Sequence, residues 1–237
     1  MILMGSKDGT LYSINSYGEL IFSIETSDDI IASPSILSAS GYTPMIFFGN
    51  NDGEVHALYP DGTYVDGWPI FFPESIVSSP VFSDLDSDFI PEIIFFTGGG
   101  NLHIINLDGT SYPSAPMTYT FPYSSSPAIH DLDSDGDLEI FGGTADGLNV
   151  LDIKESGSNT DYWNTFKANL LRNSYYLNQL MGDVNIDSNI DILDVIEIVG
   201  YILNTNQFID FNYSDMNYDG YIDISDIILI LNHILVE

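Results

Sequence analysis

The chain has 237 residues, 35 Asp+Glu against 4 Lys+Arg, a formal net charge of −31 and no cysteine. That balance argues against nucleic acid and anionic membranes as partners and for cations, and the missing cysteine excludes disulfides, thiolate zinc sites and a Cys nucleophile. With 44% hydrophobic and 13% aromatic residues the chain has enough apolar surface to fold, and no uncharged apolar stretch reaches the length of about 18 residues that spans a bilayer.

Three markers recur along the first two thirds. Ser-Pro stands at Ser33-Pro34, Ser79-Pro80 and Ser126-Pro127, spaced 46 and 47. A turn closing on glycine stands at Asp8-Gly9, Asp52-Gly53, Gly99-Gly100 and Asp146-Gly147, spaced 44, 47 and 47. A second turn comes after it at Tyr17-Gly18, Asp61-Gly62 and Asp108-Gly109. The alternating stretches TLYSIN, EVHALYP, NLHIINL and LNVLDI, flanked by these turns, predict hairpin strands. The apolar runs MILMGS, MIFFGN, EIIFFTG and EIFGGT predict buried inner strands. One unit of about 45 residues is the size of a four-stranded propeller blade. The chain holds about three and a half such units, so the expectation is an all-β partial propeller over residues 1–178, part of a longer propeller. The opening MILMGSKDGT has neither a basic n-region nor a long apolar h-region, so a signal peptide is expected upstream.

Two acidic runs lie inside the repeats. In DLDSDGDLEI, alternation aims Asp131, Asp133 and Asp135 at one point, Gly136 permits a sharp turn, Asp137 offers its carbonyl and Glu139 closes the set. Calcium takes six to eight hard oxygens in such a loop, and without a cation so many neighbouring carboxylates repel one another. The chain then runs into strand and turn, so the loop is expected to join one blade to the inner strand of the next and to staple the two. The twin DLDSDFIPEI keeps Asp84, Asp86, Asp88 and Glu92 but has Phe89 at the glycine position. Either Phe89 takes a strained backbone or this loop binds poorly. The first unit has LSASGYTPMI in place of the acids. These runs resemble the D-x-D-x-D-G-x-x-[DE] calcium loop of FG-GAP and VCBS propeller repeats, which implies one calcium at the Asp131 loop and a second at the Asp84 loop.

From Lys154 the phase breaks. YWNTF is a candidate outer strand of the last blade, and Trp163 and Phe166 are expected to pack. After it, GDVNIDSNIDILDVIEIVGYIL places Asp183, Asn185, Asp187, Asn189, Asp191 and Asp194 at positions 1, 3, 5, 7, 9 and 12 of a calcium loop. Asn189 supplies its carbonyl. Thirty-two residues later the frame repeats with Asp215, Asn217, Asp219, Tyr221, Asp223 and Asp226. The Ile and Val content after each loop allows a strand, but an acid at position 12 in the first turn favours a helix, whose positive end it meets. Leu193, Ile196, Val199 and Leu203 share one face of the first helix; Ile227, Leu231 and Ile234 share one face of the second. The tandem over 182–236 resembles a type I dockerin, departing from it at Ser188, where glycine is expected. A small α-helical, EF-hand-like domain over 179–237 with two calcium ions is implied by that resemblance. It further implies an extracellular or cell-surface setting, calcium-dependent docking to a cohesin-type protein module in polysaccharide-degrading assemblies, and partner choice through Ile192, Leu193, Ile224 and Ser225 at loop positions 10 and 11. Carbohydrate is a further partner class.

No catalytic set emerges. His56, His103, His130 and His233 lack metal spacing, and neither a phosphate loop nor a nucleophile elbow is present. The expectation is a non-catalytic secreted calcium-binding protein. The alternative is the C-terminal part of a carbohydrate-active enzyme, a polysaccharide lyase or glycoside hydrolase. A calcium sensor would need a Met-rich groove, and Met216 alone does not make one.

Overall fold

In the computed structural model residues 1–38, 43–113, 115–158, 162–167, 182–185, 189–203, 211–217 and 220–236 are described. They divide into two compact units, Met1–Tyr175 and Tyr176–Glu237.

The alternating segments and glycine turns of the first unit fold into four antiparallel sheets in chain order. Sheet one is β1 (Ile2–Gly5), β2 (Thr10–Ile14) and β3 (Leu20–Glu25). Sheet two is β4 (Ser35–Leu37), β5 (Met45–Gly49), β6 (Glu54–Leu58) and β7 (Ile70–Phe71). Sheet three is β8 (Val81–Ser83), β9 (Glu92–Phe96), β10 (Asn101–Ile105) and β11 (Met117–Thr118). Sheet four is β12 (Ala128–His130), β13 (Asp137–Thr144) and β14 (Gly147–Ser156). Sheets of three, four, four and three strands agree with the three and a half units of the repeat. The turn at Gly53 shows why glycine recurs there: its φ is +86°, and a Cβ would lie 2.2 Å from the Phe72 carbonyl oxygen.

As expected, the runs of β5 and β9 are wholly buried, and in sheets two, three and four the apolar run is the second strand (β5, β9, β13), whereas ILMG is β1, the first strand of sheet one, and is half exposed. MIFFG is β5, second in the order β4-β5-β6-β7, with a neighbour on each side. In sheets two, three and four the first strands are the short segments after each Ser-Pro, three residues long in β4, β8 and β12. A three-residue strand gives period-2 alternation too little length to register.

Consecutive sheets pack face to face through apolar side chains. Leu11, Ile30, Ile46, Phe48 and Leu58 join sheets one and two. Phe47 of β5 sits 5.3 Å from the Phe82 ring of β8 and 5.3 Å, edge-on, from Trp68. Val81, Ile94, Phe96, Leu102, Ile129, Ile140 and Ile153 join sheets three and four. Burying aromatics of this size contributes on the order of 2–3 kcal/mol each.

YWNTF is not an outer strand. The Phe82 N–H donates to the Trp163 carbonyl (2.9 Å) and the Ile129 N–H to the Asn164 carbonyl (3.0 Å), so this segment lies against β8 and β12, the first strands of sheets three and four. Ser158 and Asp84 exchange backbone hydrogen bonds at 2.7 and 3.0 Å. The expected packing of Trp163 is observed, since it is buried.

The second unit holds α1 (Ile192–Ile202), α2 (Phe211–Ser214) and α3 (Ile224–Val236), and residues of α1, α3 and the loops form a small core of Val184, Val195, Ile198, Ile222 and Ile230. Ile190 and Ile222, at position 8 of the two loops, both reach it. The expected face of α3 (Ile227, Leu231, Ile234) packs there. The expected face of α1 does not: Leu193, Ile196, Val199 and Leu203 are exposed, and Val195 and Ile198 are inside. Ile, Leu and Val surround this helix on nearly every side, so periodicity could not select the buried stripe.

Histidine burial makes the first unit sensitive to pH. His56 is stacked on Phe48 with ring centroids 4.6 Å apart, its Nδ1 2.9 Å from the Tyr64 hydroxyl and its Nε2 3.3 Å from Glu54. Burial lowers its pKa more than the Glu54 carboxylate raises it, and His103, stacked on Phe95, is lowered the same way. The unfolded chain therefore takes up these protons first, and stability is lost as pH falls through the unfolded value of about 6.5. Replacing both histidines by Gln should flatten the slope of stability between about pH 7.5 and about pH 5.5, by up to about 1.4 kcal/mol per pH unit per histidine. Denaturant melts of the two proteins across that range check it.

Candidate metal-binding loops

The Asp131 and Asp84 loops each join the first and second strands of one sheet, β12 to β13 and β8 to β9. The expected blade-to-blade connection is thus corrected to a connection within a sheet. A loop of this length can close onto either partner, and the pairing of β12 with β13 decides. A link between sheets exists all the same, made by protein atoms: the Asp84 backbone pairs with Ser158, and the Ser87 hydroxyl donates to the Ser156 carbonyl at 2.7 Å.

In both loops the closing glutamate turns back and accepts the N–H of position 2: Leu132 to Glu139 at 2.6 Å, Leu85 to Glu92 at 2.7 Å. The first aspartate accepts loop amides, Asp131 from Ser134 and Gly136, Asp84 from Asp88 and Phe89. The oxygens brought within 4.8 Å of one another are those of Asp133, Asp135, Asp137 and Glu139 in one loop, and of Asp84, Asp86 and Glu92 in the other. Asp131 and Asp88 are not in these groups. Asp137 joins with its carboxylate, where a backbone carbonyl was expected.

Both clusters carry the electrostatic cost of crowded acids. Burial first, then Asp86, Asp84 and Asp88, push Glu92 up to about 8 against the opposing Leu85 N–H. Asp135 beside it pushes Asp137 up to about 6, with Lys154 opposing. The Lys154 ammonium lies 3.5 Å from Asp137 and also pairs with Asp152. Asp137 Oδ1 is buried with no hydrogen-bond partner. A hard divalent cation would meet that oxygen and relieve the repulsion, so the residues present fit calcium.

Gly136 takes the position-6 turn at φ +93°, and Phe89 takes it at φ +68° with its ring 83% exposed. Of the two alternatives for Phe89, the strained backbone is the one observed. Ser87 and Ser134 also have positive φ, which no residue type in the sequence announces.

The loops of the second unit share one geometry. Asp194, at position 12, accepts the N–H of Val184 (2.7 Å), Asn185 (3.1 Å) and Asp191 (2.7 Å). Asp226 accepts Met216 (2.7 Å) and Asp223 (2.8 Å). Position 9 caps each helix: the Leu193 N–H donates to Asp191 and the Ser225 N–H to Asp223, both at 2.7 Å. With Asp194 returning to the Asp191 amide, α1 begins in a capping box. The Asp215 carboxylate accepts the Gly220 N–H at 2.9 Å, with Gly220 at φ +83°. Asp183, Asp194, Asp215 and Asp226 are all buried, and no Lys or Arg lies beyond Arg172 in the sequence. Four buried carboxylates without a cationic side chain from their own segment fit a bound cation. Asn185, Asn189, Asn217 and Tyr221 lie on the described loop backbone, Tyr221 with its ring outward. Asp187, Asp219 and Ser188 fall outside the described residues. Of the position 10 and 11 residues, Ile192, Leu193 and Ile224 are exposed hydrophobics and Ser225 is exposed beside them.

The molecule is thus a propeller-like β unit joined in sequence to a pair of acidic loop-helix motifs. Residues 181–235 match the model of the dockerin type I domain. No curated protein matches the chain. Solved structures similar to it include BamB from Moraxella catarrhalis, at 17% identity over 65% of this chain and 43% of that chain with a TM-score of 0.45. Sqt1 from Saccharomyces cerevisiae is similar at 14% identity over 64% of this chain and 40% of that one, with a TM-score of 0.49. The chain spans about two fifths of the length of the solved chains it matches. FG-GAP and VCBS repeats are not among the matches; only the dockerin part of the resemblance is found.

Relieving the Phe89 turn should stabilise the first unit. A left-handed backbone costs a non-glycine residue about 1–2 kcal/mol, and glycine returns part of that gain as unfolded-state entropy. Phe89→Gly is expected to raise stability by roughly 0.5–1 kcal/mol, read as a melting temperature higher by a few degrees; a lower one contradicts the strain.

Proposed function

We propose that this chain is a secreted, non-catalytic calcium-binding docking protein. The second unit takes two calcium ions and engages a cohesin-type module in an extracellular or cell-surface assembly. The first unit is its scaffold, with calcium at the Asp131 loop and, more weakly because of the strained Phe89, at the Asp84 loop. Polysaccharide-degrading assemblies are the setting this reading favours. The observation that carries it is the set of four buried carboxylates in two like loops, within the segment that matches a dockerin type I domain.

The division of labour comes from where each loop leads. In the second unit the position-12 carboxylate ties positions 2 and 9 to the helix start, so ordering the loop also fixes the helix. The helix then presents the exposed Ile192, Leu193 and Ile196 on α1, and Ile224 and Ile228 on α3, as apolar contacts for a protein partner. In the first unit the same chemistry leads into strands and contributes rigidity.

Binding of the full chain to immobilised type I cohesin modules tests this reading. Retention in calcium, loss in chelator and loss in the Asp194→Asn, Asp226→Asn double variant are expected. Retention that neither chelator nor the double variant reduces would contradict it.

A further inference from the structure

Among the described residues, Lys154 is the one lysine paired with carboxylates. Its ammonium lies 3.5 Å from Asp137 Oδ2 and also pairs with Asp152. The backbone of β14 puts it there. Glu139 of β13 pairs with Asp152 and Leu138 with Ile153, and then the register shifts, so that Asp137 faces Ser156. Lys154 and Glu155 fall in that irregularity and diverge. Lys154 turns to the Asp131 loop of its own sheet, and Glu155 accepts the Tyr112 hydroxyl. A register break of this kind re-aims side chains.

Asp137 is thereby shared. Its Oδ2 meets the ammonium, while its Oδ1 is buried with no hydrogen-bond partner. The same carboxylate belongs to the group of Asp133, Asp135, Asp137 and Glu139, whose oxygens lie within 4.8 Å of one another. The ammonium offsets part of the repulsion among these acids when no metal is bound. A divalent cation held by the group would share Asp137 with that positive charge, and like charges at such range repel. The pairing is easily undone, because the Lys154 side chain is 70% exposed. Asp152 lies outside the group, so the ammonium can leave Asp137 and stay with Asp152. The Asp84 loop is built differently: among the described residues no lysine or arginine pairs with Asp84, Asp86 or Glu92.

We propose that Lys154 sets how tightly the Asp131 loop holds a divalent cation: its ammonium is a built-in counter-ion that steadies the loop without metal and competes with the metal for Asp137. The proposal rests on the reading of this loop as a calcium site. The loop then fills at a higher calcium concentration than its carboxylates alone would require, and it keeps its shape when calcium leaves.

Calorimetric calcium titration and melting of the full chain test it. The unaltered protein is compared with Lys154→Met, which keeps the apolar stem, and with Lys154→Arg, which keeps the charge. Asp133→Asn with Asp135→Asn marks the site and is expected to lower the number of bound calcium ions by one. Lys154→Met is expected to tighten binding at this loop by roughly three- to tenfold and to lower the melting temperature of the first unit in chelator. Lys154→Arg is expected to change neither. The two effects of Lys154→Met have opposite signs, whereas a residue that only packs would weaken binding and fold together. Unchanged or weaker calcium binding in Lys154→Met, a melting temperature in chelator that does not fall, or the same tightening in the Asp133→Asn, Asp135→Asn background would overturn the proposal alone. An undiminished calcium number in the Asp133→Asn, Asp135→Asn chain would overturn the calcium reading of the loop and the proposal with it.

Discussion

Buried carboxylates, in a chain with only 4 Lys+Arg, are the constraint on which the rest of this structure depends. A chain with 35 acids and 4 bases cannot pair its charges internally, yet it buries Asp84, Glu92, Glu139, Asp183, Asp194, Asp215 and Asp226. Backbone N–H groups meet part of the demand, and in every loop they come from residues that the acid thereby holds in place. Such donors stabilise the charged form but leave each carboxylate with further lone pairs facing its neighbours. A hard divalent cation would satisfy several of these oxygens at once, so the loop conformation is one that suits a cation.

The same local device yields different results because each loop leads into a different element. At Asp194 and Asp226 the carboxylate bridges the start of a loop to the first turn of a helix, and order in the loop passes into α1 and α3. At Glu139 and Glu92 it bridges the loop start to the second strand of a sheet already held by its ladder and by packing between sheets. Loss of the cation should therefore melt the helical unit and only loosen the β unit.

The legible parts of this molecule in sequence were those fixed by short-range chemistry. The helix starts after the two acidic loops could be placed, since the acids at positions 9 and 12 act within one loop. The glycine turns and the 44- and 47-residue spacing likewise placed the hairpins and the number of sheets. What failed depends on strand pairing and tertiary contact. Whether the Asp131 loop closes onto its own sheet is decided by β12 pairing with β13, and β12 is too short to announce itself. YWNTF had the composition of an edge strand but lies against Phe82 and Ile129. The apolar circumference of α1 gave no sign that Val195 and Ile198 would be inside and Ile196 outside. The positive φ of Phe89 was one of two readings that the sequence left open, and in the structure the Phe89 N–H donates to the buried Asp84 carboxylate.

The coupling of the buried carboxylates to a cation is tested most directly by hydrogen exchange on the full chain in calcium and in chelator, read separately for α1, α3 and the strands. The account predicts strong protection of Val195–Ile202 and Ile227–Ile234 in calcium and its loss in chelator, while β5 and β9 stay protected in both. Equal protection of the two helices with and without calcium would contradict it.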